Sequence, residues 1–339
     1  MATIYAAMDD GLLVVRGANG RWEAESPMDG TAPRCLAADP VHPERVWCGT
    51  AGAGAWRSDD GGASWRSAGD ELSALDVSAL SAGPNEEVLY AGIDPSAMWR
   101  SEDAGRRWEE LSALKALPSA PTWSFPPRPD TSHVRWITLD PTASDRLYVC
   151  IEAGALVRSA DGGRTWTDRV ADGPWDTHTL AVHPAAPGRL YSAAGDGFGM
   201  AGRGYNESPD AGDTWVRPDE GIEHHYLYGL AVDPGDPDTI VVSAADSPFT
   251  AHDPRHADST IYRRSRRGPW QEVREGLPEP EGTVRALLAA NVEEPGVFYA
   301  ASNRGVFRST DGGVSWEPVL PALPGRFDGQ SPHAVTVTP

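Results

Sequence analysis

An eight-residue pattern, Ser-x-Asp-x-Gly-x-x-Trp, recurs five times without a gap and constrains the fold more than any other feature of the chain. It runs from Ser58 to Trp65, Ser101 to Trp108, Ser159 to Trp166, Ser208 to Trp215 and Ser309 to Trp316. Two worn copies end at Trp22 and Trp270, so the seven tryptophans stand 43, 43, 58, 49, 55 and 46 residues apart. Periods of that length belong to solenoids and propellers, whose units bury their apolar faces only against one another. Each pattern has strand-like partners upstream. The clearest are Cys35-Leu-Ala-Ala-Asp-Pro, Pro43-Glu-Arg-Val-Trp-Cys-Gly and Gly54-Ala-Trp-Arg-Ser, three short strands separated by Pro and Gly turns. With a fourth strand after the tryptophan, each unit is one propeller blade.

The expected fold is therefore all-β: a seven-bladed β-propeller of four-stranded antiparallel blades. Six blades fall at about 33–66, 77–109, 134–167, 178–216, 228–271 and 285–317. The seventh is shared between the chain ends. Ile4-Tyr-Ala-Ala, Leu12-Leu-Val-Val and Trp22-Glu-Ala match second, third and fourth strands, and His333-Ala-Val-Thr-Val-Thr-Pro339 supplies the missing first strand. Residues 333–339 plus 1–24 then close the ring and leave no free sheet edge. All 339 residues form one domain on this reading.

The composition agrees and excludes several functions. Gly 36, Pro 30 and Trp 13 suit many short strands and tight turns. A net charge of −20, with Lys115 the sole lysine, repels phosphate backbones and anionic lipid, so no nucleic acid and no membrane partner is expected. No apolar run is long enough to span a bilayer, and Met1 to Ala7 lacks the features of a signal peptide. Three cysteines, Cys35, Cys48 and Cys150, suit a reducing, cytoplasmic setting, although Cys35 and Cys48 face one hairpin where a cross-strand disulfide is an alternative.

The repeated box has a structural job. Its Gly supplies positive φ, its Ser and Asp oxygens accept turn N–H groups, and its Trp packs between elements. A calcium loop would need more carboxylates than each box holds. These boxes resemble the Asp-box, or BNR, repeats of sialidases, sortilin-type receptors, xyloglucanases and a photosystem II assembly factor. The whole chain resembles the WD40/YVTN/BNR-like propellers. The resemblance implies that the boxes are scaffold and that any site lies on the other face.

In such a ring the first strand of every blade lines the channel. Counting six residues back from each strand-ending Pro gives Arg34, Ser78, Arg135, His178, Tyr228 and His333, and alignment of the remaining blade puts Ala286 there, beside Arg285. Long connections at 109–133, 194–206 and 244–260 map to the same face, as insertions around a binding site do. They carry His133, Asp196, Tyr205, Asp246 and His252, while Glu152 and the Asp9/Asp10 pair are the further carboxylates expected at the mouth. Seven of the nine histidines map here as well, including His224, His225 and His256.

This constellation gives an expected site in which Arg34, Arg135, Arg285 and His333, with His133, Asp196, Tyr205, Asp246 and His252, hold a small anionic or sugar-like ligand. His178 and Tyr228 would move the proton and Glu152 assist them. A sialidase resemblance would make the three arginines a carboxylate-binding triad and Tyr228 its tyrosine, but the Arg-Ile-Pro motif of that family is absent. The function expected is a hydrolase or lyase; the alternative is a non-catalytic propeller that binds a protein or ligand. No cofactor is indicated. The spacing of His252 and His256 leaves a divalent metal as a weaker alternative.

Overall fold

The computed structural model describes residues 2–18, 21–83 and 87–339; Met1, Asn19 and Gly20 of the first worn box, and residues 84–86 of the second blade, lie outside the described residues. Seven antiparallel sheets are each threaded outward from one inner strand. The inner strands are Pro33–Ala38, Asp76–Ala82, Val134–Leu139, Thr177–Val182, Tyr226–Asp233, Leu287–Ala290 and Ala334–Thr338. Each packs beside the next, and the last returns to the first. Blades 1 to 6 take their numbers from this order.

In the closing blade, Ala334–Thr338 pairs antiparallel with Thr3–Ala7, Thr3 opposite Thr338 and Ala7 opposite Ala334. Leu12–Ala18 and Arg21–Glu25 complete that sheet. The seven-bladed ring closed by both chain ends is thus the observed architecture. Blades 3 and 4 depart in one respect: their sheets have three strands, and the fourth shrinks to one bridge, Arg158 with Thr167 and Glu207 with Val216. After Val216 the ladder meets Pro218, which has no N–H to donate. After Thr167 the Asp168 carboxylate instead accepts the Ser119 N–H at 2.8 Å. Among the described residues no helix is long and apolar enough to cross a membrane.

The core is divided among the seven gaps between blades. Second strands read Val-Trp-Cys, Leu-Tyr-Ala, Leu-Tyr-Val, Leu-Tyr-Ser and Phe-Tyr-Ala, and they are buried on both faces. Their side chains meet those of the neighbouring blade, as Trp47 meets Leu89 and Trp108, or Val241 meets Phe298 and Trp316. Polar braces cross the same gaps. Arg57 donates to the Ala104 carbonyl at 2.8 Å, Arg158 to Ala211 at 2.9 Å, Arg263 to Gly312 at 2.6 Å and Arg16 to Gly61 at 2.7 Å. Each acceptor is a backbone carbonyl in the next blade's box, so in four of the blades an arginine clamps its neighbour's turn. All three cysteines are buried thiols. Cys48 lies opposite Leu36 and Cys35 opposite Gly49, so register removes the cross-strand disulfide alternative.

The five intact boxes share one hydrogen-bond pattern. The Ser hydroxyl accepts the N–H of the second Gly-position residue, as Ser58 does from Gly62 at 2.8 Å and Ser309 from Gly313 at 2.9 Å. That glycine has φ of +84 to +90°, a region costly for other residues. The Asp accepts an N–H four residues on, as Asp60 does from Ser64 at 2.8 Å and Asp161 from Thr165 at 2.9 Å. Bonds from the Ser64 and Thr165 hydroxyls and amides hold Asp60 and Asp161 down at about 2, against an ordinary 3.8. Because the folded values are depressed, the stability they lend is complete above 3.8 and is lost as pH falls through 2. Melting temperature should therefore drop between pH 4 and pH 2, and less steeply in an Asp60→Asn/Asp161→Asn variant; parallel curves would show that the boxes carry no linkage.

Burial of the box tryptophans is uneven. Trp108, Trp215, Trp270 and Trp316 are buried, while Trp65 and Trp166 are half-exposed. The largest cost is thus expected at a site such as Trp316 rather than Trp166. Trp316→Ala should destabilise by about 3–5 kcal/mol as a large buried aromatic, read from denaturant midpoints. An unchanged midpoint would contradict the packing role.

Candidate functional site

A cavity of about 740 Å³ opens at the mouth of the channel. Its walls include Arg34, Ser78, Arg135 and Tyr228 from the inner strands, Arg285 and His333 from just before the inner strands of the last two blades, and His133, Glu152 and His252 from the loops beside them. His178 lies just beneath, 1% exposed. Local backbone geometry explains the ring. Arg34, Ser78, Arg135 and His178 each fall where the pairing register of the inner strand slips by one residue. A β-bulge of this kind leaves the extra residue unpaired and re-aims its side chain.

The long connections contribute unequally. Phe125, Pro127, Arg128 and His133 come from 109–133, and Pro248, Phe249 and His252 from 244–260. The latter contains a single helical turn, Pro248–His252, capped by Ser247, which accepts the Thr250 N–H at 3.2 Å. The 194–206 connection does not reach this cavity. Its Met200 and Arg203 instead line a second cavity of about 540 Å³ with Trp175. Three expected ligand-binding residues accordingly stand elsewhere. Tyr205 is buried in the blade core against Trp270, its hydroxyl donating to Glu207 at 3.1 Å. Asp196 is buried behind Asp176, whose N–H it accepts at 3.1 Å. Asp246 is exposed and outside the cavity lining. The two histidines of the metal-like spacing also diverge: His252 meets the Tyr226 hydroxyl at 3.2 Å and His256 meets Asp253 at 3.1 Å. His224 is taken by the Tyr262 hydroxyl at 2.7 Å.

The polar network is continuous. Glu152 Oε2 accepts from His133 Nε2 at 2.7 Å and lies 3.7 Å from Arg135 Nε. Arg135 donates to the Tyr228 hydroxyl at 2.9 Å. Arg135 and Arg285 both stand over the Tyr228 ring, 5.0 and 4.8 Å from its centroid, and His178 stacks on it at 4.5 Å. His178 Nδ1 is 2.7 Å from the Leu227 carbonyl, a pure acceptor, so Nδ1 carries a proton. Nε2 is thereby turned toward the Tyr226 hydroxyl at 3.4 Å, Asp176 Oδ1 at 3.8 Å and Glu152 Oε1 at 3.9 Å. Across the mouth, His333 Nε2 sits between Arg34 Nη1 at 2.7 Å and Asp9 Oδ1 at 2.8 Å.

Charge states follow from these neighbours. Burial works against ionising Glu152, but the His133 bond and the facing His178 and Arg135 outweigh it and hold it down at about 2. Asp176 goes the other way: burial raises it, and the Glu152 charge adds to that against the pull of His178. Burial also pushes Asp196 up to about 7. Burial and then Arg34 lower His333 to about 4. His252 is open to solvent through the cavity yet crowded by protein, and this crowding with the Arg285 charge keeps it well below the ordinary imidazole range. One carboxylate fixed as the anion beside another that takes a proton readily is the arrangement that divides acid from base.

Sequence reasoning missed Asp176 and Tyr226, and a signal existed. Each stands two residues before a ring residue, His178 and Tyr228, as His133 stands before Arg135 and Ser331 before His333. Residues at this offset can converge on the channel, as Asp176 and His178 do at 3.8 Å, so the ring has a second tier that a single position per blade does not show.

No family model matches the chain. A xyloglucanase of Acetivibrio thermocellus is 26% identical over 241 residues, covering 58% of this chain and 26% of that protein. Among solved structures, a GH74 enzyme of Niastella koreensis superposes with a TM-score of 0.69 at 17% identity, over 93% of this chain and 52% of that one. YCF48 bound to a D1 peptide gives a TM-score of 0.61 at 18% identity, over 95% of this chain and 97% of that one. This chain thus spans about a quarter of the xyloglucanase and half of the Niastella enzyme. What these likenesses share with the chain is the seven-bladed propeller, found both in xyloglucanase-type enzymes and in YCF48.

Proposed function

We propose that the channel mouth binds a small anionic, sugar-like substrate and acts on it as a hydrolase or lyase. One observation carries this reading. Arg285 is 4% exposed, yet its Nε and Nη1 have no hydrogen-bond partner, and it lines the cavity. A buried guanidinium with idle donors fits a carboxylate that arrives with the ligand. Arg135 shares the Tyr228 ring with Arg285, and Arg34 faces the cavity from the other side, so guanidinium groups line a mouth that also holds Asp76, Asp94 and Glu152 in a chain of net charge −20.

In this reading the arginines hold the carboxylate, and His178 moves the proton through Tyr226, whose hydroxyl reaches Nε2. Tyr228 serves as the platform on which Arg135, Arg285 and His178 converge. Glu152, kept ionised, orients His133 and steadies His178 when it is charged. The carboxylate oxygens of Glu152 and Asp176 lie within 4.8 Å, closer than the roughly 6.5–9.5 Å at which inverting glycosidases admit a water. The five boxes are read as Asp-box repeats acting as scaffold, and the buried thiols suit a reducing compartment such as the cytoplasm.

A second reading, a protein-binding propeller, draws on the rim. Phe249 is 71% exposed beside the cavity, and Phe198, Met200 and Trp175 are exposed on neighbouring loops. A panel of uronate-bearing and neutral oligosaccharides separates the two. The enzyme reading expects turnover of an acidic member, reduced by about 10²–10⁴-fold in His178→Gln with affinity kept. Absence of binding by every acidic sugar would hand the site to the second reading.

A further inference from the structure

We propose that Glu152, Asp176 and His178 form a site for one divalent transition ion, Zn²⁺ or Mn²⁺, on the inner wall of the channel mouth. This ion site shares Glu152, Asp176 and His178 with the turnover proposed above and competes with it there, because an ion on His178 Nε2 occupies the lone pair that would move the proton; ion binding is measured without any sugar, so the two readings fail separately. Three ligand-type atoms face one another there: Glu152 Oε1, Asp176 Oδ1 and His178 Nε2. His178 Nε2 lies 3.9 Å from the first and 3.8 Å from the second, and all three atoms fall within 4.8 Å of one another. These gaps are too wide for hydrogen bonds among the three. A point equidistant from atoms so spaced lies about 2.1–2.5 Å from each, the span of metal–oxygen and metal–nitrogen bonds.

The surroundings aim each atom at that point. His178 is 1% exposed and its Nδ1–H is held by the Leu227 carbonyl at 2.7 Å, which turns the Nε2 lone pair inward. Such a second-shell bond is the usual companion of a metal-bound imidazole. On Glu152, the oxygen directed at His178 is Oε1, because His133 and Arg135 occupy the Oε2 side. The Ala153 N–H fixes Asp176 Oδ1 at 2.8 Å. Gly195 makes room behind: a Cβ there would come 2.1 Å from Asp176 Oδ2 and 2.9 Å from the His178 ring.

The weak hold on His178 Nε2 is the second observation: the Tyr226 hydroxyl stands 3.4 Å away, long for a hydrogen bond. The same hydroxyl lies nearer to His252 Nε2, at 3.2 Å, and gives its single proton to His178 only when His252 Nε2 is protonated and donates to the Tyr226 oxygen. An ion bound by the trio satisfies Nε2 without that proton. Two carboxylates and one imidazole make a mixed oxygen–nitrogen set, suited to Zn²⁺ or Mn²⁺ rather than to the all-oxygen shells of Ca²⁺ and Mg²⁺. Glu152 and Tyr226 also line the cavity, so the site has an entrance.

The test is calorimetry on the untagged, EDTA-treated full chain, titrated with ZnCl₂ and separately with MnCl₂. One ion per chain is expected for at least one of the metals. Asp176→Asn and Glu152→Gln should each weaken it at least tenfold, and His256→Gln should leave it unchanged. Absence of one-to-one binding by both metals overturns the site, as does binding that survives in both carboxylate variants or disappears in His256→Gln. Melting curves show whether the variants fold. If they do not, electron-spin-echo spectra of Mn²⁺ on the unaltered chain decide: coupling to one histidine nitrogen supports the site and its absence overturns it.

Discussion

Removing residues 333–339 is expected to open the ring, with self-association beyond that of the full chain and a melting temperature lower by several degrees or more. Ala334–Thr338 is the inner strand of the closing blade and pairs with all five residues of Thr3–Ala7. Without it, the row of N–H and C=O groups on Thr3–Ala7 that faces Ala334–Thr338 has no partner and presents a template for another chain. Val337, 9% exposed, leaves the core it shares with Ile4 and Tyr299. Burial of one valine is worth roughly 1.5–3 kcal/mol. Val335 packs against the same cluster and adds to this. Blades 1 and 6 lose the strand on which their own inner strands close. The site is struck as well, because His333 goes and Arg34 loses its neighbour on that side. Size-exclusion chromatography and thermal melting measure both effects. A truncated chain that self-associates no more than the full one and melts like it would show that the ring does not depend on this strand.

The ring was legible because the feature that builds it is local and repeated. Each box must turn the chain within eight residues, and only Ser, Asp and Gly at fixed offsets supply the bonds and the positive φ that this requires. Strand count followed from turn spacing, and closure followed from two half-matched ends. The channel positions were legible for a related reason: in six blades a Pro marks where the inner strand stops, so counting back finds the same place, and only the blade of Arg285 needs alignment. Contacts between blades were less visible. The arginine one residue before the box Ser, as in Arg57-Ser58 and Arg158-Ser159, stands in the sequence, but the carbonyl it clamps lies some fifty positions away. Tyr205 shows a different limit. The residue lies at the end of a long loop, yet it begins the third strand of blade 4, Tyr205–Ser208, and turns into the core. Asp196 and Asp246 likewise sit in loops whose paths depend on packing rather than on any periodicity. The second tier, Asp176 and Tyr226, stood two residues before ring positions already found, although the register slip at His178 breaks plain strand alternation there. The bulges at Arg34, Ser78, Arg135 and His178 were not, since no residue in those strands announces a register slip.

Replacing Arg285 by Met is expected to weaken binding of an acidic sugar by about 10–150-fold while leaving the protein as stable as before, or more so. The two halves rest on one side chain. A charged hydrogen-bonding group contributes roughly 1.5–3 kcal/mol when its partner is the ligand, and Arg285 holds two donors, Nε and Nη1, ready in the cavity wall. Within the protein it has little to do. Nη2 donates to the Pro332 carbonyl at 3.0 Å, and the guanidinium rests 4.8 Å from the centre of the Tyr228 ring. No carboxylate pairs with it among the described residues. A buried cation with unmet donors costs folding energy, and Met keeps the stem's volume against Tyr228 while removing the charge. A residue that merely braces the blades behaves in the opposite way. Arg189, also buried, is locked by Glu207 at 2.8 Å and by Asp238 at 2.5 Å, so Arg189→Met should unfold the protein more readily, leaving Glu207 with Arg264 and Asp238 with Arg267 as their remaining cations. Comparing the two variants by calorimetry and thermal melting separates ligand-holding from structural arginines. If Arg285→Met melts well below the parent and still binds the acidic sugar, Arg285 is a brace, and the anion-binding reading of the channel mouth loses the observation on which it stands.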